Sequence, residues 1–399
     1  MAGKRGRARL IGLPATRPHM SAPDGKTALL HAPQYARYDY GPGHPLRNLR
    51  LQLTHDLMAA TGLLDLPGAV MAPVGPATDA DLAVFHDPAY LEVLRAVDRG
   101  RPVPEAWAYG LGTPDNPCFP GVFAWSSLVA GGSLAAARLV DEGAVRCAFH
   151  FAGGLHHAGP AKASGFCYVN DPVLVIEALR RRGRRVAYVD IDAHHGDGVQ
   201  WAFYETPEVL TISLHETGET LFPGTGFVEE TGRGAGEGYA VNVPLAPGTD
   251  DAIFTWAFDA VVPPLLEAFR PDIVVTQLGV DTHRTDPLTN LELTLNGFAH
   301  AVRRLRVLAP RWVALGGGGY DLANVPRAWA LAWGIMNDRT IAERLPSGIS
   351  ADWSRLGFDG LAMTDPPHRA DGVVAARARR HAEDQVRWLH SRVFPRHGV

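Results

Sequence analysis

The sequence predicts an α/β fold, a single domain in which helices flank a central, mostly parallel sheet. Three observations lead to this prediction. Short apolar runs of strand length recur along the chain, helical patterns separate them, and each run leads directly into polar or glycine-rich sequence. Strands that alternate with helices form parallel sheets covered on both faces. In such sheets, ligands bind beyond the carboxyl ends of the strands.

The predicted strands are continuous apolar runs, as expected for strands that are buried on both faces. They cover Val186–Ile191, Val209–Leu214, Ile273–Leu278 and Trp312–Leu315. The helical patterns cover Val173–Arg182, Ile253–Phe269 and Leu295–Val307. The four strands end in DIDAHHGDG, SLHETGE, QLGVDTHRTD and GGGGYDLAN, respectively. Because the carboxyl ends of parallel strands lie at one edge of the sheet, we expect these segments to form one shared site.

The composition is that of an ordinary globular protein, with 399 residues, 46% hydrophobic and 20% charged. A formal net charge of -4 creates no global field toward nucleic acid or an anionic membrane, so we expect neither partner. We find no stretch long and apolar enough to span a bilayer. The three cysteines, Cys118, Cys147 and Cys167, form no CxxC pair, which is typical of a protein in the reducing cytoplasm.

The chain divides into three parts. Residues 1–26 are basic and lack the apolar core of a signal peptide, so we predict a mobile tail there. Residues 27–344 hold all the predicted strands and form the main domain. Residues 345–399 are predicted to be a C-terminal extension, in which a basic helix over Val373–Leu389 packs on the domain.

The segment DIDAHHGDG predicts a metal site. Asp190, Asp192 and His194 alternate along the strand end and therefore face the same way. Ionisable groups on an apolar strand are costly unless something compensates them, and a divalent cation is the simplest compensation. Asp281, at the end of the third strand, supplies a further ligand. An Asp-His-Asp set suits zinc with an open position for water, although iron(II) or cobalt(II) would also fit. The alternative for any single aspartate is a structural helix cap.

Two further segments carry candidate catalytic groups. His156 and His157 follow two glycines, and imidazoles that titrate near neutrality suit proton transfer. Asp190 and Asp197 are spare carboxylates that could orient them, whereas a solvated histidine pair is the alternative. The run of four glycines before Tyr320 lets the backbone approach a ligand closely and places the tyrosine hydroxyl to donate to an oxyanion. A phosphate-binding loop is the competing interpretation, but no GxxxxGK[ST] or complete GxGxxG pattern supports it.

From about His31 to Trp333 the chain resembles the zinc-dependent histone deacetylase superfamily, which has the arginase–deacetylase fold. The matching segments are YDYGPGHPLRNLRLQLTH, FHDPAYLEVL, YGLGTPDNPCFPG, GGLHHAGPAKASGFCYVNDPVL, VDIDAHHGDGVQWAF, TISLHETGETLFPGTG, QLGVDTHRTDPL and GGGGYDLANVPRAW. The YGLGTPDNP loop, the GHP segment and the C-terminal tail resemble the class I-like bacterial branch called acetoin-utilisation proteins. The resemblance implies that residues 27–344 form the deacetylase catalytic domain.

The resemblance also implies individual catalytic roles. It assigns the zinc ion to Asp192, His194 and Asp281. It makes His156 and His157 a tandem pair, with His157 as general base and then acid. It has Asp190 bond to His156 and Asp197 bond to His157. Tyr320 polarises the acetyl carbonyl, and Arg50 lies in an internal cavity that handles released acetate.

Substrate and monovalent-cation positions carry over in the same way. Phe166, Phe222 and Leu288 line an acyl-lysine tunnel, with Gly165 and Gly318 as further substrate-binding positions. Asp115 holds the substrate backbone at the rim, in a loop with one extra residue. One site for K⁺ or Na⁺ uses Asp190, Asp192, His194, Ser213 and Leu214, and a second uses Phe203, Thr206, Val209 and Tyr239. Several of these cation contacts are backbone carbonyls.

The predicted activity is zinc-dependent hydrolysis of the acetyl-amide of N-ε-acetyl-lysine in proteins, with release of acetate and without NAD. One alternative is a small-molecule amidohydrolase, such as an acetylpolyamine deacetylase. The sequence has no obvious long insertion of the kind that narrows the entrance of such enzymes. Another alternative is a non-catalytic acetyl-lysine binding module, against which the complete set of metal, histidine and tyrosine residues argues.

Overall fold

The computed structural model describes residues 26–355 and 362–399, so the predicted tail lies, except for its last residue, outside the described residues. The strands are β1 (Thr27–Leu30), β2 (Ala69–Ala72), β3 (Cys147–His150), β4 (Val186–Asp190), β5 (Val209–Glu216), β6 (Ala240–Leu245), β7 (Ile273–Gln277) and β8 (Trp312–Leu315). They form one sheet in the order β2-β1-β3-β8-β7-β4-β5-β6, and all neighbouring pairs run parallel. The predicted fold class is confirmed.

The four strands predicted from the sequence are neighbours in this sheet, in the order β8-β7-β4-β5. Asp190, the last residue of β4, pairs in register with Ser213 of β5 and with Gln277 of β7. The segments that follow these strands therefore start close together at one edge of the sheet. This adjacency allows residues distant in sequence to meet in one site.

Helices flank the sheet. They are α1 (Leu49–Ala60), α2 (Asp79–Leu82), α3 (Pro88–Asp98), α4 (Val122–Asp141), α5 (Asp171–Arg180), α6 (Asp197–Phe203), α7 (Asp251–Phe269), α8 (Leu295–Leu308), α9 (Val325–Met336), α10 (Ser347–Ser354), α11 (Gly372–Arg392) and α12 (Phe394–His397), with 3₁₀ turns at Pro33–Arg37, Ala106–Tyr109 and Gly234–Gly236. The three predicted helices are α5, α7 and α8. Two of them begin two residues before the predicted start, because Asn170 and Asp250 cap their first amide groups.

An apolar core lies on each face of the sheet. Val274 of β7 belongs to the core on one face, and Val275 belongs to the core on the other. The same alternation holds in β4 for Val189 and Tyr188. Burial on both faces explains why these strands are continuous apolar runs in the sequence.

Two helices, α4 and α7, are long and apolar enough to cross a membrane by length and composition alone. This corrects the expectation that no stretch of the sequence meets that test. In the folded chain, 67% and 56% of their apolar windows are buried inside the protein. Packing of α4 against α3, α5 and β3, and of α7 against α8 and α11, explains their apolar composition.

The helix α11 lies against α7 and the edge strand β6. Ala378, Ala382 and Leu389 point into this contact and are fully buried. The Arg379 guanidinium lies 3.9 Å from the ring centroid of Trp256 in α7. The helix thereby covers a sheet edge that would otherwise be open to pairing with another chain.

Candidate metal centre and active site

Asp192, His194 and Asp281 come together beyond the ends of the adjacent strands β4 and β7. The Nδ1 atom of His194 lies 3.1 Å from Asp192 Oδ1 and 2.9 Å from Asp281 Oδ2. One ligand atom from each residue lies within 4.8 Å of the other two, and all three residues are buried. The three residues predicted as metal ligands therefore share one small volume.

The charges of this cluster call for a cation. Burial and the adjacent Asp192 carboxylate raise the pKa of Asp281 to about 8. Two buried carboxylates this close together repel each other, and a bound divalent cation would offset the free-energy cost of that repulsion. Two carboxylates and one imidazole are a donor set that zinc accepts.

The glycine at position 318 leaves room beside the carboxylates. A Cβ atom there would lie 2.0 Å from Asp281 Oδ2 and 2.7 Å from Asp192 Oδ2. The Gly318 amide donates to Asp192 Oδ2 at 2.8 Å, and the Gln277 side-chain amide donates to the same oxygen at 2.5 Å. These donors orient the carboxylate, and the residues present fit a divalent metal.

The tandem histidines each pair with one carboxylate. His156 Nδ1 lies 2.8 Å from Asp190 Oδ2, and His157 Nδ1 lies 2.7 Å from Asp197 Oδ1. The two Nε2 atoms are 3.0 Å apart. Although burial favours its neutral form, the carboxylates of Asp190 and Asp192 raise the pKa of His156 to about 9. Burial and the neighbouring His156 lower the pKa of His157, so His157 is the ring that stays neutral.

Asp171, which the sequence reasoning missed, holds the loop before the histidines. Its buried carboxylate accepts the amide hydrogens of Gly154 and Leu155, both at 2.9 Å, and the Ser133 hydroxyl at 2.5 Å. A carboxylate with this many donors fixes the backbone that leads into His156. The available signal was its place inside the segment GGLHHAGPAKASGFCYVNDPVL, which carries the family resemblance.

Tyr320 lies near the metal cluster. Its ring centroid is 6.3 Å from that of His194 and 5.6 Å from that of Phe166. Burial raises the pKa of the Tyr320 hydroxyl well above its usual value, so the group remains a donor. The buried Arg50 guanidinium donates to the carbonyls of Gly317 and Gly319, both at 2.9 Å, and these two hydrogen bonds hold the glycine run in place.

Two aromatic side chains lie near the tandem histidines and Tyr320, with Phe222 beside His157 and Phe166 beside Tyr320. Phe222 is 44% exposed, and its ring centroid lies 5.0 Å from that of His157. A Cβ atom at Gly165 would lie 2.4 Å from His157 Cδ2 and 2.9 Å from Phe222 Cε1, so this glycine touches both rings. Leu288 is partly buried on another loop, where its amide donates to Asp286 Oδ1 at 3.0 Å.

Asp286 was also missed from the sequence. The second oxygen of its carboxylate accepts the Tyr320 amide at 2.8 Å, so one side chain ties the Leu288 loop to the glycine run. This linking role of Asp286 depends on the conformation of the loop, and no sequence pattern predicts it.

The remaining predicted positions are more dispersed. Asp115 is exposed, and its carbonyl oxygen lies 3.2 Å from His44 Nε2. Ser213 and Leu214 follow one another on β5 beside the end of β4. Around the start of β5, the Phe203 carbonyl accepts the Thr206 amide at 3.2 Å, and the Tyr239 carbonyl accepts the Thr211 amide at 2.9 Å. Both cation sites stay predictions.

Comparison with known proteins gives concordant matches. A model of the histone deacetylase domain matches residues 44–336. The chain is 38% identical over 337 residues to the acetoin utilization protein AcuC of Bacillus subtilis, covering 82% of this chain and 87% of that protein. It is 39% identical over 332 residues to histone deacetylase 19 of Arabidopsis thaliana, covering 82% of this chain and 66% of the plant protein. It is also similar to the crystal structure of a histone deacetylase homologue from Aquifex aeolicus, with a TM-score of 0.83, 34% identity, and coverage of 91% of this chain and 99% of the other.

Proposed function

This chain belongs to the histone deacetylase family, a family of deacetylases, and we propose that it hydrolyses the acetyl-amide of N-ε-acetyl-lysine in proteins and releases acetate. The observation that carries the proposal is the cluster of Asp192, His194 and Asp281 beside two histidine–carboxylate pairs. Amide hydrolysis needs an activated water, a proton carrier and an oxyanion donor, and this site holds a candidate for each.

The metal ligands in this proposal are Asp192, His194 and Asp281, and the ion is zinc, with iron(II) as the alternative in the cell. A bound divalent metal supplies a Lewis acid and lowers the pKa of a coordinated water. The donors on Asp192 from Gly318 and Gln277 keep the ligand carboxylate in orientation.

The chain's own groups move the protons. His157 Nδ1 donates to Asp197, and its Nε2 lies 3.0 Å from His156 Nε2. In this proposal His157 Nε2 gives up that contact to accept a proton from the attacking water and later delivers the proton to the leaving amine. His156, held by Asp190, carries positive charge beside it. The Tyr320 hydroxyl donates to the oxyanion that forms on the acetyl carbonyl, and its raised pKa keeps it protonated for this role.

The substrate enters between aromatic walls in this proposal. Phe166, Phe222 and Leu288 line the tunnel for the acyl-lysine side chain, Gly165 and Gly318 admit it closely, and Asp115 holds the peptide backbone at the rim. Arg50 lines the cavity that receives acetate, and K⁺ or Na⁺ occupies the two cation positions. We place the activity in the cytoplasm, which the free state of all three cysteines supports.

One experiment tests the proposal and its main competitor together. The purified chain is assayed on a panel of acetyl-lysine peptides and acetylpolyamines, without NAD, and its metal content is measured in the same sample. We expect turnover of the peptides, loss of turnover after treatment with a chelator, and recovery when zinc is added back. Turnover of acetylpolyamines alone would assign the chain to the small-molecule amidohydrolases, and no turnover of either class would refute the deacetylase proposal.

A further inference from the structure

The carboxylate of Glu216 joins two loops that carry proposed tunnel residues. Glu216 is the last residue of β5 and is 1% exposed. Its Oε1 atom accepts the Thr220 hydroxyl and the Asn290 side-chain amide, both at 2.9 Å. Its Oε2 atom accepts the Asn290 backbone amide at 2.7 Å. All three donors belong to residues outside the sheet.

The two loops carry Phe222 and Leu288, which are both proposed as tunnel residues. Thr220 stands two residues before Phe222, whose ring contacts that of His157. Asn290 stands two residues after Leu288, which shares the Asp286 carboxylate with Tyr320. The Glu216 backbone is itself fixed, since its amide donates to the Ala193 carbonyl between two metal ligands at 2.9 Å. Glu216 therefore connects both walls to the base of the site.

We propose that Glu216 is a positioning residue that sets the spacing of the tunnel walls and thereby the preference for short acyl chains. This inference rests on the proposed deacylase function, because it concerns the same tunnel. A fully buried carboxylate with three donors is a rigid link, whereas Phe222 itself is 44% exposed. Releasing the link lets the walls separate, which admits longer chains and weakens contacts with acetyl.

Glutamine at position 216 weakens this link with little change in shape. All three groups donate to the carboxylate as it stands, and a glutamine amide nitrogen cannot accept any of them. The charge is lost, and at least one contact must either be lost or be remade with donor and acceptor exchanged, by rotation of the Thr220 hydroxyl or the Asn290 amide. Asn290→Ala is milder, because it removes only the side-chain donor and leaves the backbone amide in place.

The test measures kcat/KM for acetyl-, butyryl- and hexanoyl-lysine in one peptide sequence, with the full-length wild type and variants. One methylene group in a fitted pocket changes discrimination by roughly 10-fold or more. We expect Glu216→Gln to raise the hexanoyl-to-acetyl ratio by roughly 10-fold, and Asn290→Ala to raise it less. Because both changes act on one interaction, the double variant should shift the ratio no further than Glu216→Gln alone.

Asp141→Asn is the matched control. Asp141 is also a buried carboxylate, but its donors are the charged side chains of Arg182 and Arg184, which lie just before β4 begins, at the opposite ends of the strands. This variant should lose stability without changing the acyl ratio. An equal fall in all three activities in Glu216→Gln and Asn290→Ala, with an unchanged ratio, would overturn the inference while leaving the deacylase function intact. If the wild type hydrolyses none of the three peptides, the proposed function fails first.

Discussion

Replacing Gly318 with alanine adds one methyl group inside the metal centre. The new Cβ atom would lie 2.0 Å from Asp281 Oδ2, whereas ordinary contacts of this kind begin at 3.4 Å. The carboxylate must therefore retreat by the difference, about 1.4 Å, or the glycine run must move by a similar amount. Neither movement is easily achieved. The Ala193 amide donates to Asp281 at 2.8 Å, and the Arg50 guanidinium holds the glycine run by two hydrogen bonds to its carbonyls.

A displacement of this size exceeds what a metal site tolerates. Ligand distances in metal sites hold to about 0.2 Å, so a shift of about 1.4 Å removes one ligand from coordination. Changes to supporting groups alone typically cost about 10–100-fold in metal affinity. We expect Gly318→Ala to lose at least about 100-fold in zinc affinity, and to lose turnover with it.

The assay is a zinc titration in chelator-buffered solution, together with kcat/KM on an acetyl-lysine peptide and a thermal unfolding curve. Gly372→Ala is the control, because among the described residues no heavy atom beyond its chain neighbours and its own helix backbone lies within 4 Å of a methyl group added at the start of α11. It should match the wild type in all three measurements. A Gly318→Ala protein that binds zinc with wild-type affinity and turns over normally would refute the assigned geometry of the centre.

Two further predictions concern the oxyanion donor and the C-terminal segment. Tyr320→Phe should lower kcat by about 10²–10³-fold with unchanged metal content, and full activity would exclude the oxyanion role. Although burial opposes its charged form, His283, the Leu295 amide and Arg327 lower the pKa of Asp365 below its usual 3.8. A carboxyl whose pKa is lower in the folded protein than in the unfolded chain stabilises the fold fully at pH values above the unfolded-state pKa. This stabilisation is lost as the pH falls through the folded-state pKa. Asp365→Asn should therefore lower the free energy of unfolding, measured in urea at pH 7, by about 2 kcal/mol. The difference in unfolding free energy between this variant and the wild type should shrink below pH 4. A difference that stays constant with pH would contradict the assignment.

The sequence predicted the centre of the sheet but not its flanks. The strands β4, β5, β7 and β8 are buried on both faces and therefore stand out as continuous apolar runs. The strands β1, β2 and β3 have four residues each, as β8 also does, so length alone does not explain why they were missed. Thr27 and His150 place a polar residue in β1 and β3, and Val70 and Met71 of β2 are exposed. In β6, Asn242 and Pro244 interrupt the apolar run; proline is tolerated there because the strand lies at the sheet edge beneath α11.

The candidate site was predictable where its residues stand at strand ends. Asp192, His194 and Asp281 converge because β4 and β7 are neighbours in the sheet. The sequence predicted only that these strands end at the same side of the sheet and did not predict that they are neighbours. Gln277 carried an unused signal, as a polar residue closing an apolar strand. Asp286 and Glu216 act by accepting amide hydrogens from other loops, and such contacts depend on loop conformation that no periodicity encodes.

The most direct test of the metal centre is the metal content of the purified chain compared with that of Asp281→Ala, using Gly372→Ala as a folded control. We predict one divalent ion per chain in the wild type and control, and loss of both the ion and peptide deacetylation in Asp281→Ala. Deacetylation that persists in an Asp281→Ala protein shown to be free of metal would contradict hydrolysis at this centre.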